Sequence, residues 1–472
     1  MSTESATHLF IPDRQAGSAF LSALPLNSPA LAQQRLLQFI ETLLAMPLVA
    51  GETLALLEEA RTPVSVVQEE QSRHYLNKAL PLATDEEVAF QQAIVLWRRM
   101  EQAYAMCARL ESLDRNHPQY AQLVGTLLQR CLYYNGKFIV EHYRVRRELP
   151  AGVWLNLHGY YETAEEWGVA NAAVEDSLES QPATHCAAAY VTVLLLDIVS
   201  PYSHSVRNIS LIRRWAALWA PLVSIHPLDD DDELPPYFVE LMKDAPLHQT
   251  GCAEGPGRDG RWLDTMRLGQ EINEKLQGLA AHGKPSELGL GEESRSRVAN
   301  LLKRLLRPGT QSAAPRRFRR FATKGGVRVV QGFAAMHHAI SKKAFIQPDS
   351  MQAYSRDDFD SLFTFRDRVN PGDEMVSKAP IDFPADDWAV INHSASGFRL
   401  IRRAAVQRVA HAQLLAVMPH DGEHYLLCRA SWLMQASDGG LVAGVAVLPG
   451  MPEGIGIRIA GGVDRYVQAF ML

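Results

Sequence analysis

Residues 388–403 read WAVINHSASGFRLIRR. The polar segment Asn392-His393-Ser394-Ala395-Ser396-Gly397 separates two runs in which apolar and polar residues alternate, the period of strands with one buried face. Short hydroxyl and amide side chains beside a glycine can aim donors at an anion. They can also do no more than join two strands.

The flanking sequence continues the strand pattern. GGVRVVQGF (325–333) precedes the segment, and AQLLAVMP (412–419), HYLLCRASWLM (424–434), GGLVAGVAVLP (439–449), GIGIRIAG (454–461) and DRYVQAFML (464–472) follow it. Many short strands at regular spacing predict a small antiparallel barrel or sandwich. Between about 335 and 385 the texture departs from strands, and HHAISKKAF (337–345) and MQAYSRDDFDSLFTF (351–365) read as short helices.

Toward the N-terminus the period changes to three and four residues. ALAQQRLLQFIETLLAM (30–46), the stretch 85–113, the stretch 118–145 and VWLNLHGYYETAEEWG (153–168) are helical, with Asp85 as an expected cap and Pro118 as a helix start. Trp154, Leu157 and Tyr161 match the first-helix spacing of a tetratricopeptide unit, with His158 in place of its glycine, but no second copy follows at that period. An antiparallel bundle or irregular solenoid explains residues 1–307 equally well. A small strand element is expected near 235–265, and PGTQSAAP (308–315) is the expected linker. The fold class is therefore α+β in two domains, 1–307 helical and 316–472 barrel.

Bulk properties narrow the function. A chain of 472 residues with 47% hydrophobic and 21% charged content is globular and long enough for two or three domains. Its net charge of -6 argues against nucleic acid as a partner of the whole molecule. Five separated cysteines without a C-x-x-C pair, no basic start with an apolar run, and no spanning segment point to a reducing, cytoplasmic setting. The run CAAAYVTVLLLDIV (186–199) is too short to span and carries Asp197, so it reads as a buried helix. The acidic run Asp229 to Glu233 lacks calcium-loop spacing and reads as a solvated loop.

Against that acidic background, Ser294 to Arg328 holds eleven Lys or Arg and no Asp or Glu. Its centre is PRRFRRF, with Arg316 and Arg320 four residues apart and Arg317, Phe318 and Arg319 between them. Guanidinium groups match phosphate oxygens, pair with guanine O6 and N7, and stack on purines.

RxxxR followed by [D/N]xSxxG on a small β-barrel resembles the PilZ domain, the bacterial receptor module for cyclic di-GMP. The motifs here are Arg316 to Arg320 and Asn392 to Gly397, and the later stretch 424–449, with Trp432 and Gly444-Val445, is similar to the last strands of that fold. The resemblance covers about a third of the chain. It implies that Arg316 and Arg320 grip phosphates and guanine edges of cyclic di-GMP, that Asn392 and Ser394 bond its base or phosphate, and that Gly397 permits the turn. Arg317, Arg319, His393 and Ser396 are expected as additional contacts.

The family places a few tens of residues between its motifs, whereas 72 positions separate Arg320 from Asn392, so 335–385 is expected to be an insertion. His337, His338, Lys342 and Lys343 lie in it and are expected to be solvent exposed rather than bound to ligand.

The expected function is a cyclic di-GMP receptor whose barrel changes the geometry or partner binding of the helical domain, in control of motility, pili, polysaccharide or biofilm. No cofactor or metal is expected, and an unidentified protein partner is. The alternative is a non-catalytic scaffold on a degenerate barrel, with RRFRR as a basic arm toward RNA, membrane or water. Catalysis is not expected: G-x-S-x-G, H-E-x-x-H, the G-x-x-x-x-G-K-[ST] loop and a dinucleotide fingerprint are all missing.

Overall fold

The computed structural model describes residues 9–110, 120–178, 183–228, 235–249, 259–310, 318–345, 383–403, 407–458 and 466–472. The chain divides into two compact units, Met1–Lys78 with Leu82–Pro315, and Ala79–Pro81 with Arg316–Leu472.

The first unit is built from α1 (Arg14–Ser22), α2 (Pro29–Ala45), α3 (Ala50–Ser72), α4 (Thr84–Leu110), α5 (Tyr120–Val145), α6 (Val153–Glu166), α7 (Cys186–Ile198), α8 (Val206–Trp219), α9 (Met266–Ala280) and α10 (Arg295–Thr310). Between them lie two small antiparallel sheets. One is β1 (Val174–Glu175) with β2 (Ala183–Thr184); the other, in order β3-β6-β4-β5, contains β3 (Ser224–Pro227), β4 (Tyr237–Glu240), β5 (His248–Gln249) and β6 (Gly260–Asp264). The strand element expected near 235–265 corresponds to β4, β5 and β6.

Local signals set many of the helix starts. Asp13 accepts a hydrogen bond from the Ala16 amide at 2.8 Å, and Ser205 accepts one from Asn208 at 3.3 Å. Pro29 occupies the first turn of α2. At α4 the helix starts ahead of the expected cap. Asp85 lies inside the helix, and the Glu86 carboxylate accepts from the Ala83 amide at 2.8 Å. The expected start at Pro118 lies outside the described residues.

Tertiary packing overrides local signals elsewhere. Pro63 sits inside α3, which nonetheless runs unbroken because Leu56, Leu57, Ala60, Val64 and Val67 are buried on one face. Helix α10 extends to Thr310, into the stretch read as linker, with Val298, Leu301, Leu302 and Leu305 buried. Trp154, Leu157 and Tyr161 are buried as well, and His158 bridges Tyr190 Oη (2.7 Å) and the Ala245 carbonyl (2.9 Å) where a repeat unit has glycine.

A buried ionic cluster ties α3, α5 and the first small sheet. Arg61 donates two bonds to Asp176 (2.8 and 3.0 Å), Arg130 donates two to Glu58 (both 2.9 Å) and one to Asp176 (3.2 Å). Burial opposes the charge on Glu58, but Arg130 and Arg61 together hold its carboxyl below the usual range. Among the described residues no helix is long and apolar enough to cross a membrane. The thiols of Cys107, Cys131, Cys186 and Cys428 are buried.

The second unit contains β7 (Phe321–Ala322), β8 (Gly326–Val330), α11 (Phe333–Ser341), β9 (Ala385–Ser394), β10 (Gly397–Arg402), β11 (Leu414–Pro419), β12 (Leu426–Gln435), β13 (Leu441–Val447), β14 (Glu453–Arg458) and β15 (Tyr466–Met471). The sheet runs β10-β13-β12-β11-β8-β9, and β9 pairs back onto β10, closing a six-stranded antiparallel barrel. Closure removes the free edges that a small sheet would otherwise expose. Inward side chains alternate along each strand and include Val327, Val329, Trp388, Val390, Leu400, Leu433, Ala443 and Val445, all buried. At one end of this interior the Arg402 guanidinium pairs with Asp386 and lies 4.8 Å from the centroid of the Trp388 ring.

Among the described residues β14 and β15 pair only with each other, so the last two sequence strands form a separate ribbon rather than barrel staves. Helix α11 packs over Val330, Ala416 and Leu427 on the barrel's outside. It buries His337 between Phe345 and Phe470, and His337 Nε2 lies 3.3 Å from the Ile455 carbonyl oxygen. The expectation of exposure therefore fails for His337 and for half-buried His338, which leans on Phe383, because both carry ring surface on a helix laid against the sheet. Lys342 and Lys343 are exposed. The expected helix at 351–365 lies outside the described residues. Leu80 exchanges two backbone hydrogen bonds with Val409 (2.8 and 2.7 Å), and Arg408 donates to the Ala79 carbonyl at 2.8 Å.

Candidate ligand face of the barrel

The segment Asn392 to Gly397 forms the end of β9, a two-residue turn at Ala395-Ser396 and the start of β10. None of Ala395, Ser396 and Gly397 has a positive φ, so the turn itself does not demand glycine. The demand comes from across the sheet. A Cβ on Gly397 would fall well inside 3.0 Å of the Val445 carbonyl oxygen, closer than real side chains approach. Gly397 is there because β13 passes against it, which corrects the expectation drawn from the motif.

Cross-strand register defines which side chains share a face. Ala322 pairs with Asn392, Asn392 with Arg399, Arg399 with Gly444, and Gly444 with Trp432. Directly opposed residues point to the same side, so these five form one row across β7, β9, β10, β13 and β12. One step along, Ser394 pairs with Gly397, Gly397 with Ala446, and Ala446 with Arg429. Irregularities opposite Arg399/Leu400 and between Ala430 and Trp432 leave Ile391 and Ser431 as extra residues. They turn Asn392 and Trp432 outward although Val390 and Ala430 point inward. A side chain at Gly444 would overlap the Trp432 indole, so the ring lies flat over that glycine. The Arg399 guanidinium sits 5.7 Å from the Trp432 ring centroid.

The first motif arrives at the same edge. β7 follows Arg319-Arg320 directly, and Phe321 pairs with His393. Arg319 lies 5.6 Å from the Phe321 ring centroid, and the Phe321 and His393 rings are 5.8 Å apart. Arg320 is thus one residue from the strand pairing that carries Asn392, although 72 positions separate them in sequence. Arg316 and Arg317 lie outside the described residues.

The other candidates divide by face. Ser394 Oγ lies 3.2 Å from Ser396 Oγ, and the Ser396 carbonyl accepts from the Val447 amide at 3.0 Å, which secures the turn to β13. His393 points to the opposite side from Asn392 and Ser394, toward Phe321 and Phe398, so the expected contact from its ring is not on the row. Arg399, Arg429 and Trp432 are not among the site residues that the two motifs identify. Arg399 is two residues beyond Gly397 on the same strand, so alternation alone could have identified it; the extra residue Ser431 hides the partnership of Trp432 with that row.

Chemically, the face offers exposed Arg399, Arg429, Arg319 and Arg320, an indole surface, and the amide and hydroxyl of Asn392 and Ser394. The two rows contain no carboxylate. Such a surface is suited to a ligand with phosphate charge and a flat heterocycle. Among the described residues no group of three or more His, Cys, Asp or Glu is disposed to hold a metal ion.

The second unit is thus a closed antiparallel barrel with an arginine-rich face, in a chain whose first unit is mainly helical. Among known proteins, the family model described as the N-terminal domain of the cyclic-di-GMP receptor FimW matches residues 15–230. The chain is also similar to the cyclic-di-GMP receptor FimW of Pseudomonas aeruginosa, 22% identical over 495 aligned positions that cover 96% of this chain and 80% of that protein. The likeness to that receptor therefore spans both units.

Proposed function

We propose that the chain is a non-catalytic cyclic di-GMP receptor of PilZ type, and that the ligand lies on the outer barrel face along Asn392, Arg399 and Trp432. The observation that carries this is the register that puts Asn392 and Ser394 in line with Arg399, Trp432 and Arg429, next to the strand that follows Arg319-Arg320. Similarity to a protein named as a cyclic-di-GMP receptor supports the same ligand.

In this reading Arg316 and Arg320 close over the phosphates and guanine edges, Asn392 and Ser394 bond the base or phosphate, and a guanine stacks near Trp432. Arg317, Arg319 and Ser396 border the same site. Arg316 is the first residue after the boundary between the two units, so a ligand contact at Arg316 links nucleotide binding thermodynamically to the helical unit. The helical unit then engages a protein partner in the cytoplasm, with motility, pili, surface polysaccharide or biofilm as the output.

Calorimetric titration of the full chain with cyclic di-GMP, beside the Arg316→Ala, Arg320→Ala double variant, tests the proposal. Saturable binding lost in the variant is the expected result. A thermal melt guards against a heat near zero, since ligand at 100 times its dissociation constant stabilises the folded protein by about 2.7 kcal/mol. No binding in either measurement would overturn the assignment.

A further inference from the structure

The helical unit contains a trough whose lining differs in chemistry from the barrel face. Helices α5 and α8 stand as two walls over α7, enclosing a trough of about 420 Å³. Gly136 makes the floor possible: a Cβ there would meet Val193 Cγ2 at 2.9 Å, so α5 rests directly on α7. Val193 and half-buried Ala189 and Thr192 line the floor, Leu132 and Val140 one wall, and Ala217 and Leu218 the other. Leu218 is 40% exposed despite facing this apolar surface.

Three cations border the trough, and among the described residues that line it there is no Asp or Glu. Lys137 holds its ammonium 4.8 Å from the Tyr133 ring centroid, Arg214 donates to the Leu290 carbonyl at 3.2 Å, and Arg213 stands beside it on α8. These contacts fix where Lys137 and Arg214 sit. A smaller polar cleft adjoins through Lys137, Val140 and Arg213, and the carboxylates there, Glu69 and Glu141, pair with Arg144 at 3.6 and 3.1 Å. An apolar cleft of a few hundred Å³ with a few convergent polar groups is the usual form of a small-molecule site.

We infer that this trough binds a small amphipathic anion, an aliphatic body ending in a carboxylate or phosphate, with the body on the α7 floor and the head at Lys137 and Arg213. The site is separate from the barrel face and uses none of its residues.

The experiment is calorimetric titration of the full chain with straight-chain carboxylates of increasing length, each below its micelle concentration, and with decanamide as the uncharged control. Affinity should rise about fourfold per added methylene until the trough is full, and then level off. Decanoate should bind at least tenfold more tightly than decanamide, and hydrogen exchange should show protection within 129–140 and 213–218. Ala217→Trp, which fills the cleft, and Lys137→Glu with Arg213→Glu, which reverses its rim, should each weaken decanoate at least tenfold. A thermal melt reports whether each variant is folded, and the exchange map stands independently if one is not. The Arg316→Ala, Arg320→Ala variant should bind decanoate like the parent chain. Absence of saturable decanoate binding, protection located elsewhere, or binding indifferent to both folded variants would overturn the inference.

Discussion

Replacing Gly397 by alanine tests the barrel's geometry most directly. The added methyl would lie well inside 3.0 Å of the Val445 carbonyl oxygen, which belongs to the backbone and cannot rotate away. Relief requires β10 to separate locally from β13. That loosens the Gly397–Ala446 pairing and the 3.0 Å bond from the Val447 amide to the Ser396 carbonyl. One hydrogen bond is worth about 0.5–1.5 kcal/mol. Overpacking costs about 1–3 kcal/mol more, so a local loss of roughly 2–4 kcal/mol is expected. Hydrogen-exchange mass spectrometry of peptides covering 397–402 and 441–447 reads this directly. In the regime where exchange tracks opening equilibria, amides there should exchange about 30- to 700-fold faster. Gly325→Ala is the control, because its nearest neighbour would be Thr323 Oγ1 at an ordinary 3.7 Å. Its exchange should match the parent chain. Gly397→Ala protein with parental exchange in β10 and β13 would show that the two strands are not in contact as described, and the row built on their register would fall with them.

Three further outcomes are expected. Trp432→Ala and Arg399→Ala should each weaken cyclic di-GMP by roughly 5- to 150-fold, the range of about 1–3 kcal/mol for one stacking or bidentate contact, and only the arginine variant should flatten the salt dependence in titrations at 50 and 200 mM salt. Asp386→Asn should destabilise the barrel by about 3–5 kcal/mol, because it leaves the Arg402 guanidinium buried without its carboxylate, whereas Asp386→Leu with Arg402→Leu should cost clearly less in the same denaturation experiment. Burial pushes His142 down to about 4, against the opposing bond from its Nδ1–H to the Phe138 carbonyl. The unfolded chain therefore binds this proton more readily. Stability from neutral His142 is full above pH 6.5 and is lost as pH falls toward 4, by up to about 3 kcal/mol, and pH-dependent melts of His142→Phe should lack that component.

Strand existence was legible because one face of each barrel strand is buried, and Val327/Val329 or Leu441/Ala443/Val445 repeat at period two. Helices α2, α4, α5 and α6 were legible for the corresponding reason at period 3.6. The two motifs were also visible, although the fold alone shows that the chain after Arg320 returns to pair beside Asn392. What escaped lies in single-residue events. Ile391 and Ser431 each shift the alternation by one, and no local residue pattern announces a bulge. The role of Gly397 depends on Val445, 48 positions away in sequence, so a turn was the only explanation within local reach. His337 reads as polar by type, yet its ring fills a gap between Phe345 and Phe470 that exists only once α11 and β15 meet the barrel. The pairing of β14 with β15 outside the barrel follows from closure of β9 onto β10, which leaves no edge for further strands.

The bridge between Leu80 and Val409 has a consequence for dissecting the protein. Ala79–Pro81 group with the barrel although more than two hundred residues of helical chain intervene before Arg316. The barrel is therefore a discontinuous folding unit, encoded in two places. A gene fragment beginning at Arg316 would yield a barrel whose Val409 amide and carbonyl have lost both partners, and whose Arg408 has lost the Ala79 carbonyl. On the ribosome, the short first piece emerges long before the strand residues that receive it. Mapping nucleotide binding with excised fragments consequently compares two different objects, and a tripeptide-bearing or full-length chain is the right reference for any measurement made on the isolated C-terminal segment.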